Sequence, residues 1–135
     1  MSESVQHLQL VSFLKKKVMS ITPSDCWCCI QDELPDSLNH PPITLEGFRP
    51  DIYYHYKNLL IIGEAKTNKD VSRKHSRAQY ESYIKECSAF SGEAFMFLAV
   101  PWLEEAEAHN ILRSIKKKHP GPYTTKVFAW IDGEE

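Results

Sequence analysis

The chain has 135 residues, 42% hydrophobic and 25% charged, with a formal net charge of −2. That size and balance predict one globular domain and exclude collagen-like, low-complexity and polycationic chains. No apolar stretch approaches the roughly 20 residues of a membrane span, and no basic-then-apolar leader follows Met1, so a cytoplasmic protein is expected.

Val5, Leu8, Val11, Leu14 and Val18 recur at three- or four-residue steps and predict a helix from about Glu3 to Met19, with Lys15, Lys16 and Lys17 in its last turn. Pro23 ends that pattern, and Cys26 to Ile30 reads as a short strand. Three of the four cysteines, Cys26, Cys28 and Cys29, crowd together there, with Cys87 far away. Such crowding suits free thiols better than a disulfide framework, and no second Cys/His pair stands at zinc-finger spacing.

Four prolines make Gln31 to Pro50 a loop, with room for a short strand near Ile43 to Leu45. Asp51 to Tyr56 and Leu59 to Lys66 are β-rich, and Thr67 to Ser72 is a polar loop. Arg73 to Phe90 reads as a helix with Tyr80, Tyr83, Ile84 and Cys87 inward. Ala94 to Val100 is an apolar strand stopped by Pro101. Leu103 to Lys118 is a helix burying Ala108, Ile111, Leu112 and Ile115, and Thr125 to Ile131 is a last strand. The order predicts an α/β domain over residues 1–135, a mixed sheet with helices on both faces.

The central hairpin carries the chemistry. With Lys57-Asn58 as a two-residue turn, Tyr56 pairs with Leu59, and the same register sets Asp51 opposite Glu64. Directly opposed residues have Cβ atoms about 5 Å apart. Lys66, two residues beyond Glu64, points to the same face. A surface cluster of salt bridges is the plain alternative, but Leu59-Leu-Ile-Ile62 has the character of a central strand covered on both faces. Ionisable groups in such a strand need a reason. Two facing carboxylates repel unless a cation lies between them, and hard oxygen ligands suit Mg²⁺. An adjacent lysine can orient water and steady a developing negative charge. Gly63 leaves space for close approach by a helix or substrate.

Pro50-Asp51 followed by Glu64-Ala65-Lys66 resembles the signature of the PD-(D/E)XK nuclease superfamily. Gln79-Tyr80-Glu81-Ser82-Tyr83 is similar to the Q-x-x-x-Y element of its RecB-like branch. The resemblance covers about residues 50–83. It implies a restriction-endonuclease-like αβββαβ core with an extra C-terminal helix and strand. It further implies metal-dependent hydrolysis of phosphodiester bonds, in DNA ahead of RNA. Asp51, Glu64 and the Ala65 carbonyl would hold Mg²⁺ or Mn²⁺. Lys66 would position or activate water, and Gln79 and Tyr83 would orient the site or touch nucleic acid. Many members add an acidic residue or histidine from the first helix, for which Glu3 and His7 are the candidates here. The alternative is a non-catalytic nucleic-acid-binding or assembly subunit on the same fold. A homodimer or a subunit of a larger complex fits either reading.

Two basic segments flank this core. Lys66 to Arg77 holds five bases and one acid, and Lys69, Arg73, Lys74 and Arg77 are the expected phosphate contacts. Arg113 to Lys118 holds four bases and no acid, and reads as cations complementing the negative end of a helix dipole. Tyr53, Tyr54, His55 and Tyr56 are expected to pack on the sheet rather than stack on bases. No glycine-rich phosphate loop and no Gly-x-Ser-x-Gly element is present.

Overall fold

A computed structural model describes residues 5–22, 29–31 and 40–131. The elements run α1 (Val5–Ile21), β1 (Cys29–Gln31), β2 (Ile52–Tyr56), β3 (Leu59–Ala65), α2 (Lys74–Ala89), β4 (Glu93–Pro101), α3 (Glu105–Lys118) and β5 (Thr124–Trp130). Short 3-10 turns at Asn68–Ser72 and Trp102–Glu104 precede α2 and α3. The five strands lie in chain order across one sheet. β1, β2 and β3 form an antiparallel meander, whereas β4 and β5 continue in parallel beyond β3. Each parallel join needs a crossover, and α2 and α3 supply them. No helix among the described residues is long and apolar enough to cross a membrane.

Alternation along the strands builds two cores. On one face, Leu10, Val11, Leu14 and Val18 of α1 pack with Ile52, Tyr54, Ile61, Ala65 and Phe97. On the other, Leu60, Ile62, Met96 and Leu98 pack with Tyr80, Tyr83 and Ile84 of α2 and Ala108, Leu112 and Ile115 of α3. β3 is therefore covered on both sides, as its apolar run predicts. Gly63 faces α1, and a β-carbon there would stand 3.0 Å from Leu14 Cδ2. The missing side chain is what lets α1 settle on the sheet.

The hairpin register is as expected, with Tyr56 opposite Leu59 and Ile52 opposite Gly63. The positive φ of the turn falls on Lys57, at 55°, rather than on Asn58. Asn58 spends its carbonyl on the Glu93 amide at 2.7 Å, which ties the turn to the start of β4.

Other boundaries differ from the sequence expectation. α1 runs on to Ile21, so Lys15, Lys16 and Lys17 lie before its last turn. Ser20 remains helical and bonds its hydroxyl back to the Lys17 carbonyl at 2.7 Å. Ile43 to Leu45 forms no strand. The Thr44 amide bonds the Phe48 carbonyl at 2.8 Å and the Gly47 amide bonds the Thr44 carbonyl at 2.9 Å, closing a turn instead. Thr67 to Ser72 is a 3-10 turn, held down by buried Val71 and by the Tyr80 hydroxyl donating to the Val71 carbonyl at 2.8 Å. β4 keeps Pro101, aligned with Trp130, as its last residue. Cys26, Trp27 and Cys28 lie outside the described residues. Cys87 is a buried free thiol, and burial pushes its pKa up to about 12.

In the aromatic strand β2, Tyr53 and Tyr54 pack as expected, whereas His55 and Tyr56 near the turn are exposed. Tyr54 is buried in the α1-side core, and Tyr53 packs against the other. His55 meets Phe90 edge-on, with ring centroids 5.2 Å apart.

Candidate active site

The β2–β3 ladder ends at Ile52 and Gly63, and the next step holds Asp51 and Glu64. There the side chains take over from the ladder. The Asp51 amide donates to Glu64 Oε1 at 3.2 Å, and the Ala65 amide donates to Asp51 Oδ2 at 2.9 Å. Both carboxylates are buried, Asp51 at 8% exposure and Glu64 at 3%. A carboxylate acceptor in place of a ladder carbonyl keeps the backbone amides satisfied at a sheet end with no further strand pair.

Lys66 enters from the same face of β3. Its Nζ stands 3.3 Å from Glu64 Oε2 and donates to Gln79 Oε1 at 2.5 Å. Its backbone amide bonds the Ala99 carbonyl at 3.0 Å, so β4 fixes the main chain from which the side chain departs. Gln79 comes from the second turn of α2, whose core face is set by Tyr80, Tyr83 and Ile84. From the opposite layer, His7 of α1 brings Nε2 to 3.4 Å from Asp51 Oδ2. Two helices and two strands thus converge on one sheet end.

The pair is electrostatically unbalanced. Burial, and then the Asp51 charge, push Glu64 from its ordinary 4.5 up to about 8, against the opposing pull of Lys66. One ammonium does not offset two buried carboxylates. Such a pair binds either a proton or a cation, and its oxygen donors are hard. Ala65 lies past the last β2–β3 pair with its amide turned toward Asp51. A strand residue's carbonyl points to the same side as its amide, so the Ala65 oxygen faces this end too. Asp51, Glu64 and that carbonyl are the oxygen donors that could hold a divalent ion here. Among the described residues no three His, Cys, Asp or Glu side chains form a ready-made metal cage.

Of the other expected site residues, Tyr83 is fully buried on the inner side of α2, as its inward position in the helix pattern predicts, and out of reach of nucleic acid. Inward rotation of α2 places it among Ile62, Val71 and Met96, in core packing behind the site. Lys69, Arg73, Lys74 and Arg77 are all exposed around the start of α2. Arg73 Nε lies 3.2 Å from Asp70 Oδ1, and Arg77 Nε donates to the Ser72 carbonyl at 3.0 Å. Glu3 lies outside the described residues, and His7 is the α1 group beside Asp51. Its place could be read only in part from sequence, since the rotation of α1 over the sheet depends on Leu14 filling the Gly63 gap.

No family model, no curated protein and no solved structure matches this chain.

Proposed function

We propose that this chain is a divalent-metal-dependent nuclease of the PD-(D/E)XK type, hydrolysing phosphodiester bonds in DNA. The observation that carries the reading is the meeting of Asp51 and Glu64 at the ladder end with Lys66 beside them. The order αβββαβ, with an antiparallel meander and β4 parallel to β3, is in keeping with the restriction-endonuclease-like core that the motifs imply.

In this reading Asp51, Glu64 and the Ala65 carbonyl hold Mg²⁺ or Mn²⁺, and His7 supports Asp51 from α1. When bound, the ion supplies Lewis-acid polarisation of the phosphodiester and makes nearby water more acidic. Lys66 steadies negative charge developing on the phosphoryl oxygens and orients the attacking water. Gln79 fixes the Lys66 ammonium, whose flexible stem would otherwise sample many rotamers. Glu64 must lose its proton for the pair to accept the ion, so metal binding competes with protons.

The burial of Glu64 favours a second reading, a nucleic-acid-binding or assembly subunit in which the pair is only a structural latch. A nuclease panel separates the two. Single-stranded and duplex DNA and RNA are incubated with Mg²⁺, Mn²⁺ or EDTA, beside the Lys66→Ala protein. Metal-dependent cleavage lost in Lys66→Ala supports the nuclease. Equal cleavage by both proteins, or none by either, removes it.

A further inference from the structure

Two basic grooves share α3. One of about 300 Å³ lies between α2 and α3 and is lined by Lys74, Arg77 and Lys118. The other, about 310 Å³, lies between α3 and β5 and is lined by Arg113, Lys116 and Lys117. The last three stand at i, i+3 and i+4, a single face spanning about 6 Å of helix. Among the described residues, none of the six cations is within ion-pair distance of a carboxylate. The single acid of the first groove, Glu81, is occupied by His119, with Oε2 2.6 Å from Nε2.

The helix dipole accounts for only half of this pattern. Lys116, Lys117 and Lys118 sit at the negative end of α3, where cations are favoured. Lys74 and Arg77 sit at the positive end of α2, where they are not, and the first turn of α2 has no acid. The fold sets these two helix ends side by side along one groove. Positive charge from two helices, plus the positive end of the α2 dipole, therefore accumulates on a chain whose net charge is −2. Its complement is an extended polyanion.

We propose that the α2–α3–β5 face is a phosphate track that binds the backbone of a nucleic-acid strand without reading its sequence. The proposal rests on the nuclease reading for the identity of the polyanion and extends it to where the strand runs. Cations on both flanks of one helix can neutralise successive phosphates. Lysine and arginine contacts to phosphate give affinity and register but carry no base information. Binding along this face is therefore indifferent to sequence and steeply dependent on salt.

The test is fluorescence anisotropy with labelled single-stranded and duplex DNA of two unrelated sequences. EDTA is present throughout, so neither cleavage nor metal enters the reading. Salt is varied between about 50 and 200 mM. One variant combines Lys74→Ser, Arg113→Ser and Lys117→Ser, all exposed positions. Lys116 is left intact because its Nζ lies over the Tyr123 ring, 5.8 Å from the centroid. A control variant combines Lys15→Ser, Lys16→Ser and Lys57→Asn. The first variant is expected to lose about 2 to 3 from the slope of log affinity against log salt, and at least about tenfold in affinity at low salt. The control keeps both. Absence of DNA binding by the parent, an equal loss in both variants, or a preference for anionic lipid vesicles over DNA overturns the track. Track binding without metal-dependent cleavage removes the nuclease and leaves the track standing. Intact cleavage with unchanged binding in the first variant does the reverse.

Discussion

Asp51 and Glu64 are tied to each other across the sheet end through backbone donors. The Asp51 amide reaches Glu64 Oε1 at 3.2 Å, and the amide following Glu64 reaches Asp51 Oδ2 at 2.9 Å. Each carboxylate is thus both a candidate metal ligand and a cap for a buried amide. Removing the Asp51 side chain does two separable things. Asp51→Asn keeps an oxygen for the Ala65 amide but removes the charge, whereas Asp51→Ala removes both. We expect both variants to lose metal-dependent cleavage. Asp51→Ala alone should also lose about 1 to 3 kcal/mol of stability, the cost of an orphaned buried amide. Urea unfolding beside the cleavage assay checks this, and equal stability of the two variants contradicts it.

A second expectation concerns pH. The Glu64 carboxyl is raised from 4.5 to about 8 in the folded chain, chiefly by burial and then by the charge of Asp51. Between those values the folded state holds a proton that the unfolded state has released. Without divalent metal, this group's stabilisation is full below about pH 4.5, falls as pH rises, and is gone above about pH 8. The local slope reaches at most about 1.4 kcal/mol per pH unit. Glu64→Gln has no proton to lose, so its stability should fall less across this range and exceed that of the parent at the alkaline end. Parallel unfolding curves for the two proteins at all pH values contradict the shift. Divalent metal should flatten the slope of the parent and not of the variant.

Lys66 and Gln79 should separate in kinetics. The ammonium acts on the reacting groups in the proposed mechanism, and the amide acts only by fixing the ammonium at 2.5 Å. Lys66→Ala is expected to lower kcat by about a hundredfold or more. Gln79→Ala should lower it roughly tenfold, with KM little changed, as for groups that orient a reacting residue. Gln79→Glu should restore most of that loss, since a carboxylate also accepts from the ammonium. A Gln79→Ala effect as large as that of Lys66→Ala would place the amide in contact with substrate.

The seat of α1 can be tested through Leu14. It is fully buried, and its Cδ2 fills the space that Gly63 leaves on β3. Leu14→Ala should cost about 2 to 5 kcal/mol through lost burial and a residual cavity. A cost under about 1 kcal/mol would mean that α1 is not clamped there.

The hairpin was legible in the sequence because a two-residue turn and strict alternation allow one register, and one register dictates which side chains face each other. Asp51, Glu64 and Lys66 follow from that, and so does the burial of Leu60, Ile61 and Ile62. Features set by contacts distant in sequence were not legible. At the turn, the Asn58 carbonyl meets the Glu93 amide of β4, a partner that the hairpin sequence does not reveal. The turn from Thr44 to Phe48 was missed for a local reason, since its hydrogen bonds replace a strand that the β-rich composition suggests. Arg113 to Lys118 reads as an ordinary helix end until α2 brings Lys74 and Arg77 alongside. The inward place of Tyr83 was legible from helical spacing, whereas the half-buried position of Gln79 beside Lys66 depends on how α2 seats against β3.

His7 offers the last prediction. Its Nε2 lies 3.4 Å from Asp51 Oδ2, a close approach of α1 to a site carboxylate. On the proposed metal reading, an imidazole at that distance would orient Asp51 or join it in holding the ion, and would tune metal affinity more than the fold. His7→Ala should weaken Mn²⁺ binding, measured by titration calorimetry, by about 10- to 100-fold. The urea midpoint in EDTA should stay close to that of the parent, because Leu10, Leu14 and Val18 anchor α1 independently. Unchanged Mn²⁺ affinity in a folded His7→Ala protein would exclude α1 from the metal site and leave only the hairpin and Lys66 to perform the chemistry.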